Sequence, residues 1–426
     1  MPVTEPADSA WTLPHPAAAF WRRLTQAELQ PGNRLRLLES GVEYFPALIE
    51  AIAAARDEVH LETYIFADDA AGRAVLDALC AASRRGVAVR VLVDGFGARD
   101  FHDTLGVTLR RARGEVLVYR PDIARLNFSR RRLRRLHRKL AVIDGRVAFV
   151  GGINIIDDFD MGTTPTQTPP RFDYALRVEG PVVDAIHASV RQTWQLVRWA
   201  TFGMRPPPPM PLTRWQNVAS AAAPAARGGG VAAAFVHRDN LRNRHAIEAA
   251  YLEAIRAARV EVLIANAYFM PGRHFRRALE DAAQRGVRVV LLLQGRVEYA
   301  LMHYATLGLY RLLLRRGIEI VEYRASFLHA KVAVIDSHWA TVGSSNIDPF
   351  SLLLAREANL VVRDDVFAGQ LRTSLLRAIA RGGTLVQHAD LRRWPWWQHA
   401  ASRIAYVVAR ALTRVGGLDP DRPFSS

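Results

Sequence analysis

The sequence predicts an α/β protein of two similar lobes, each a mixed β-sheet flanked by helices, related by a pseudo-two-fold axis within one chain. Three observations predict it: the length of 426 residues, the alternation of apolar β-like runs with helical stretches, and an internal repeat. A chain of this length holds two lobes of roughly 150–200 residues, each able to bury a core. Strands alternating with helices argue for an α/β sheet. The repeat sets AIAAARDEVHLETYIFADD against AIRAARVEVLIANAYFMPG, and SRRGVAVRVLVDG against AQRGVRVVLLLQG. One half-domain has been duplicated, so a single site between the halves is expected.

Residues 1–32, rich in alanine and proline and without periodicity, form an N-terminal arm. From Asn33 come RLRLLES, a helix near Tyr44 to Arg56, EVHLETYIF, a second helix and VAVRVLVDG, which give a first lobe over 33–200. RPPPPMP, from Arg205 to Pro211, cannot continue a helix or a central strand, and with SAAAPAARGGG behind it makes 201–230 the linker. The pattern then restarts as a second lobe over 231–388. The tail, 389–426, contains WPWWQHAASRIAYVVARALTRVGG. Its tryptophans with Ile404, Val407, Val408 and Leu412 form an apolar face beside Arg403, Arg410 and Arg414, which suits an interfacial helix and a helix packed on the second lobe equally.

Composition narrows the class. Half the residues are hydrophobic and 23% are charged, as in a globular protein. No run of 18 apolar residues predicts a membrane-spanning helix, and the N-terminus lacks the basic start and apolar stretch of a secretory signal. Cys80, the sole cysteine, lies in LDALCAA and reads as a core residue; a disulfide or a cysteine-based zinc site within the chain is excluded. The net charge of +16 points to polyanionic partners, either nucleic acid or an anionic membrane. Of the 57 basic residues only Lys139 and Lys331 are lysines. Each stands two residues after a histidine, which marks places where arginine does not substitute.

Those lysines belong to a repeated pattern, H-x-K-x4-D followed by a glycine turn and asparagine. His137, Lys139, Asp144 and Asn154 recur as His329, Lys331, Asp336 and Asn346, always 192 positions on. Strand alternation puts each histidine and its lysine on one face. A neutral imidazole supplies a nucleophilic or basic nitrogen; the ammonium, a compact charge for phosphate oxygens. Transfer of a phosphodiester needs a nucleophile, a proton for the leaving oxygen and donors for the spreading charge, and two such sets supply all three. The expected course is attack by one histidine to give a phosphohistidine while the other delivers and later removes a proton. Each ring needs a carboxylate to fix its tautomer. Asp173 in RFDYALRVEG and Glu357 in REANLVVRDD occupy matching places and are assigned to His137 and His329 respectively. Asn154 and Asn346 are placed to reach the phosphate, Asp144 and Asp336 to brace the site or merely to turn the chain. Lysine and asparagine take the electrostatic work that a metal does elsewhere, so no metal and no cofactor is expected. His60, His187, His303 and His338 read as ordinary core or surface groups.

The paired motifs resemble the phospholipase D superfamily. LHRKLAVIDGRVAFVGGIN, ETYIF, IANAYFMPG and LHAKVAVIDSHWATVGSSNIDPFSLLLAREAN are similar, more narrowly, to bacterial cardiolipin synthases of the B type, from about Asn33 to about Gln387. The resemblance implies two phospholipase D-type lobes and transfer of a phosphatidyl group from one phosphatidylglycerol to another, releasing glycerol. It places catalytic roles on His137, Lys139, Asp144, His329, Lys331 and Asp336, with Asn154 and Asn346 as phosphate contacts. Ser345 of GSSN, opposite a first half that reads GGIN, would be a one-sided contact. His137 is taken as the nucleophile. Hydrolysis by a phospholipase D shares the same first step, and a nuclease would use the same histidines; against the latter, the basic run NFSRRRLRRLHRK lacks interleaved aromatics for stacking bases. That run, with seven arginines between Arg125 and Arg138, is expected to gather anionic headgroups. The expected setting is peripheral, on the cytoplasmic face of the cell membrane, with no nucleic-acid partner.

Overall fold

The computed structural model describes residues 28–121, 134–159, 169–203, 230–238, 245–348 and 355–415, with the side chains of 412–415 left aside. Residues 204–229 of the linker read over 201–230, and the stretch 122–133, lie outside the described residues. The first lobe runs β1 (Gln30–Glu39), α1 (Ser40–Ala54), β2 (Glu58–Thr63), α2 (Ala70–Arg84), β3 (Ala88–Asp94), α3 (Leu105–Arg111), β4 (Glu115–Tyr119), β5 (Arg135–Leu136), β6 (Lys139–Ile143), β7 (Val147–Gly151), β8 (Tyr174–Glu179) and α4 (Val182–Phe202). The second repeats it as β9 (Val231–Arg238), α5 (Ala246–Ala257), β10 (Glu261–Asn266), α6 (Arg273–Gln284), β11 (Arg288–Gln294), α7 (Ala300–Arg315), β12 (Glu319–Tyr323), β13 (Lys331–Ile335), β14 (Trp339–Gly343), β15 (Ala355–Arg363) and α8 (Asp365–Gly382). β16 (Gly383–Leu385), α9 (His388–Arg393) and α10 (Trp396–Val415) complete the chain.

All these strands join one sheet. From its middle, the order outward is β1-β8-β7-β6-β2-β3-β4 in the first lobe and β9-β15-β14-β13-β10-β11-β12 in the second, with β16 at the far edge. The two orders are the same, and β1 pairs antiparallel with β9 at the join. The sheet is mixed: β2, β3 and β4 are parallel, as are β10, β11 and β12. β1 begins at Gln30, before the Asn33 start read from the sequence, because its first residues pair with β9 across the join.

Alternation along the strands sends apolar residues to both faces, so helices cover both. Val59 and Leu61 of β2 pack under α1 to α3, and Val262 and Ile264 of β10 under α5 to α7. On the opposite face α4 and α8 share one cluster that crosses the join, with Ile186 and Val190 on one side and Leu371 and Leu375 on the other. Tyr174 of β8 is hydrogen-bonded to Ser374 of α8 at 2.6 Å within it. That shared layer fixes the lobes relative to each other, and so fixes whatever is built between them. Cys80 is buried in the first-lobe core.

The tail helix packs on the second lobe, one of the two readings made of it. Ala405 and Ala409 are buried in the second-lobe core, and Gly308 of α7 sits against the Ser402 carbonyl. Its other face leaves Trp396 81%, Ile404 63% and Val407 63% exposed. Among the described residues no helix is long and apolar enough to cross a membrane.

Candidate active site

Each histidine lies two residues before a central strand, where the backbone leaves its own lobe to bond the other. His137 N donates to the Arg356 carbonyl at 3.0 Å and His329 N to the Phe172 carbonyl at 2.8 Å. β5 pairs in parallel with the start of β15, and Phe172 bridges Leu328 in the same way. In both cases the next residue after the acceptor is a carboxylate. His137 Nδ1 lies 2.9 Å from Glu357 Oε1, and His329 Nδ1 lies 2.6 Å from Asp173 Oδ2. The sequence reading paired Asp173 with His137 and Glu357 with His329; the structure crosses them. Equivalent strand ends face each other across the pseudo-two-fold axis, so each lobe supplies the carboxylate for its neighbour's histidine. At His137 the carboxylate at Nδ1 favours a proton there, which leaves Nε2 with its lone pair free for chemistry; His329 Nδ1 lies between Asp173 Oδ2 and Lys331 Nζ, the latter at 2.7 Å.

The lysines are deeper than the histidines. Lys139 Nζ donates to the His137 carbonyl at 2.7 Å, and Lys331 Nζ donates to the His329 carbonyl and lies 3.5 Å from Asp173 Oδ2. Both are buried, as are Asp173 and Glu357. Burial pulls Lys139 down to about 7 and Lys331 to about 8, and pushes Asp173 up to about 6. It also lowers His137, and His329 well below its ordinary value. Neutral imidazoles beside ammonium groups near their titration points suit an anion: a phosphodiester between them favours the charged lysines that in turn stabilise it.

Ser344, which the sequence reading passed over, touches the site. Its Oγ donates to Glu357 Oε2 at 2.5 Å, whereas Ser345 Oγ turns to the Asn346 carbonyl at 3.4 Å. The residue 192 positions earlier is Gly152, where a Cβ would stand 2.4 Å from Asp173 Oδ1. One half-site therefore holds a long carboxylate with a hydroxyl, the other a short carboxylate with none; the glycine-for-serine exchange at equal spacing was the available signal. Tyr64 was also missed. Its ring centroid is 4.9 Å from that of His137 and 5.6 Å from Lys139 Nζ. Asn154 and Asn346 are buried nearby; Asn154 Oδ1 accepts from Ile65 N at 3.3 Å, and Asn346 Oδ1 has no hydrogen-bond partner.

Asp144 and Asp336 stand elsewhere. They end β6 and β13, five residues and roughly 16 Å of strand from the lysines. Asp144 accepts from the N–H groups of Arg56, Asp57 and Glu58 at 2.8–2.9 Å, and Asp336 from those of Arg259, Val260 and Glu261 at 2.8–2.9 Å. Both have φ of 51°. They lock a strand hairpin to the start of its neighbour, holding the fold at a distance from the site where the family resemblance put them.

Of the basic run, Arg138 faces inward. It is buried and donates to Glu62, Ser189 and Thr193, tying the sheet to α4, so it gathers no headgroups. The arginines from Arg125 to Arg132 lie outside the described residues. One group among the described residues has metal-ligand character, Glu58, His60 and His187. It sits at the end of β2 remote from Tyr64, and Arg90 donates to Glu58 at 3.0 Å, so a guanidinium already occupies the place a cation would take.

Comparison with known proteins places this arrangement. A family described as cardiolipin synthase, PLD-like domain, matches residues 48–158 and 251–379. Cardiolipin synthase B of Salmonella typhimurium (strain LT2) is 39% identical over 392 residues, covering 91% of either chain. Cardiolipin synthase B of Escherichia coli (strain K12) is 38% identical over 400 residues, again covering 91% of either. Among solved structures, phosphatidylserine synthase of Haemophilus influenzae Rd KW20 superposes with a TM-score of 0.66 at 13% identity, over 95% of this chain and 98% of that one.

Proposed function

The chain belongs to the cardiolipin synthase family of phospholipase D-like proteins, and from that premise we propose that it joins two phosphatidylglycerol molecules into cardiolipin, releasing glycerol, through a covalent phosphohistidine. The observation that carries the reading is the crossed pair of histidine–carboxylate contacts, which makes one site of two motifs.

His137 Nε2 attacks phosphorus. Its ring is the better fixed, with Glu357 held at one oxygen by His137 and at the other by Ser344, so the positive charge that develops on the ring as the P–N bond forms meets a positioned carboxylate. His329, protonated in the presence of the phosphodiester anion, gives its proton to the departing glycerol oxygen as the P–O bond breaks. It then takes the proton of the incoming glycerol hydroxyl of a second phosphatidylglycerol, which attacks phosphorus and frees His137. Lys139 and Lys331 stabilise the charge spreading over the non-bridging oxygens, each worth on the order of 10²–10³ in rate for such a donor. Asn154 and Asn346 complete the phosphate contacts.

The lipid is met at a membrane surface, peripherally and on the cytoplasmic face. The exposed Trp396, Trp397, Ile404 and Val407 of α10 enter the interface, and the net charge of +16 favours anionic lipid. The test is incubation of purified protein with labelled phosphatidylglycerol in mixed micelles, without added divalent metal. Cardiolipin and free glycerol in equal amounts support the reading; phosphatidic acid alone makes the chain a hydrolase, and no lipid turnover overturns it.

A further inference from the structure

The segments that carry the histidines and their carboxylates alternate between two faces. Phe172 and Leu328, bridged in parallel, pack on the cluster under α4 and α8, and Leu136, which pairs with Arg356, packs on Trp194 and Val197 of α4. Their neighbours in sequence therefore point to the other face, where the site is. His329 with Asp173 makes one row on that face, and His137 with Glu357 makes another. One step further out from the sheet each is followed by a second row, Phe327 beside Arg171 and Arg135 beside Ala355. Each half-site thus has an arginine two residues, roughly 7 Å of extended chain, outside its histidine–carboxylate pair.

The two arginines are held alike. Arg135 lies 3.6 Å from Asp94 Oδ1, with its guanidinium carbon 5.5 Å from the centre of the Phe96 ring. Arg171 Nη1 lies 3.4 Å from Glu298 Oε1, with its guanidinium carbon 5.9 Å from the centre of the Phe327 ring. Glu298 is itself fixed by Tyr268 Oη, which donates to Oε2 at 2.5 Å. Arg296 lies against the same Phe327 ring at 5.7 Å and donates to the carbonyls of Arg324 and Ala325 at 2.9 and 2.8 Å. Two guanidinium groups therefore meet one carboxylate around Phe327. Among the described residues Arg171 Nε, which is buried, has no hydrogen-bond partner. An open donor on a cationic rim suits an anion. The charge is felt in the site: burial, then Lys331 and then Arg171 hold His329 well below its ordinary pKa.

Joining two phosphatidylglycerol molecules brings two phosphodiesters together, and the lysines serve the one that reacts. The other belongs to the acceptor. It keeps its charge throughout and comes to rest one glycerol length from the reacting phosphorus. In-line displacement brings the acceptor hydroxyl in opposite the nucleophile, beside the acid–base histidine, which is the Arg171 side. We infer that Arg171 binds the phosphodiester of the acceptor phosphatidylglycerol, and so selects a second anionic lipid over a neutral alcohol. The inference rests on the phosphatidyl-transfer reading and deepens it.

The experiment offers one phosphatidyl-enzyme two acceptors in the same mixed micelles: phosphatidylglycerol, and a monoacylglycerol, which presents a glycerol diol on a lipid chain without a phosphate. The ratio of cardiolipin to the monoacylglycerol adduct reads the acceptor alone, because loss of folded enzyme or of donor turnover lowers both products equally. The wild-type protein is expected to favour phosphatidylglycerol, and Arg171→Gln to lower the ratio roughly 10- to 100-fold, the range for one hydrogen bond to a charged group. Arg171→Lys, which keeps the charge and loses the planar fork, is expected to fall between the two. An unchanged ratio in Arg171→Gln overturns the proposal, and if total product falls at the same time the arginine serves the reacting phosphate instead. Should Arg171→Gln be inactive, Glu298→Gln, which leaves the guanidinium in place but unheld, decides by the same ratio: a severalfold fall is expected, and no change overturns the proposal. Wild-type protein that uses both acceptors equally overturns the subsite and leaves phosphatidyl transfer standing. Wild-type protein that forms phosphatidic acid and neither transfer product overturns the transfer reading itself.

Discussion

Beneath the catalytic edge the two lobes differ more than at it. On the α4 side of its sheet the first lobe packs His60, Glu62 and Arg138, and at the equivalent places under α8 the second has Leu263, Ala265 and Ala330. A fully hydrogen-bonded ionic network and an apolar cluster fill the same space at comparable cost, so the duplicated halves drifted freely there. At the site they did not. Histidine, lysine and a carboxylate recur in both, and the exchange of Asp173 with Gly152 for Glu357 with Ser344 still brings an oxygen within 2.9 Å of Nδ1 in each case. Chemistry constrains the functional atoms; packing constrains only the volume behind them.

The comparison is broken most completely by removing either ring. His137→Ala and His329→Ala are each expected to lower phosphatidyl transfer by at least ~10³-fold, and the double variant by no more than either alone, because the two act as one unit. Product formation under initial-rate conditions reads this out; an additive double variant means two independent sites.

Making the halves alike has unequal effects. Gly152→Ser forces a Cβ against the Asp173 carboxylate and displaces it from His329, for an expected loss of roughly 10²-fold in kcat. Ser344→Gly only frees one Glu357 oxygen, for roughly tenfold. Equal losses would mean that the carboxylates do not depend on their neighbours as described.

The pH profile sharpens the contrast. Asp173 has its pKa raised to about 6, so below that pH it is protonated and no longer accepts from His329 Nδ1; kcat/KM is expected to fall as pH drops through about 6. Lys139 and Lys331, depressed to about 7 and 8, lose their charge as pH rises, which gives the falling alkaline side. The two limbs belong to the coupled cluster as a whole. Asp173→Asn is expected to abolish the acid limb, and Glu357→Gln to leave it in place.

The smallest effect on catalysis falls on the aspartates that end the motifs. Asp144→Ala or Asp336→Ala removes the acceptor of three backbone N–H groups and is expected to cost about 2 kcal/mol of stability. kcat at a temperature where the fold persists should stay within about tenfold. Denaturant unfolding beside initial rates separates the two quantities.

The repeat made much of this legible. A constant spacing of 192 residues revealed two lobes and the equivalence of the two histidine–lysine pairs, and the strands that follow each motif offered the candidate carboxylates. It could not reveal the crossing, because a repeat says which residues correspond and not which half faces which; that follows from β1 meeting β9 and from β5 pairing with β15. Ser344 and Ser345 are neighbours in sequence, and only the turn after β14 decides which hydroxyl reaches Glu357. Arg138 looked like one more charge in a basic run, and only the cover of α4 shows it as an internal brace.

The most direct test of the central claim, one site with His137 as the attacking ring and His329 as its acid–base partner, is to quench the reaction of ³²P-labelled phosphatidylglycerol in the millisecond range and map the labelled peptide. The account predicts acid-labile label on the peptide containing His137, absent from His137→Ala and dependent on Glu357. Label on the His329 peptide, or turnover with no labelled histidine at any time, would contradict it.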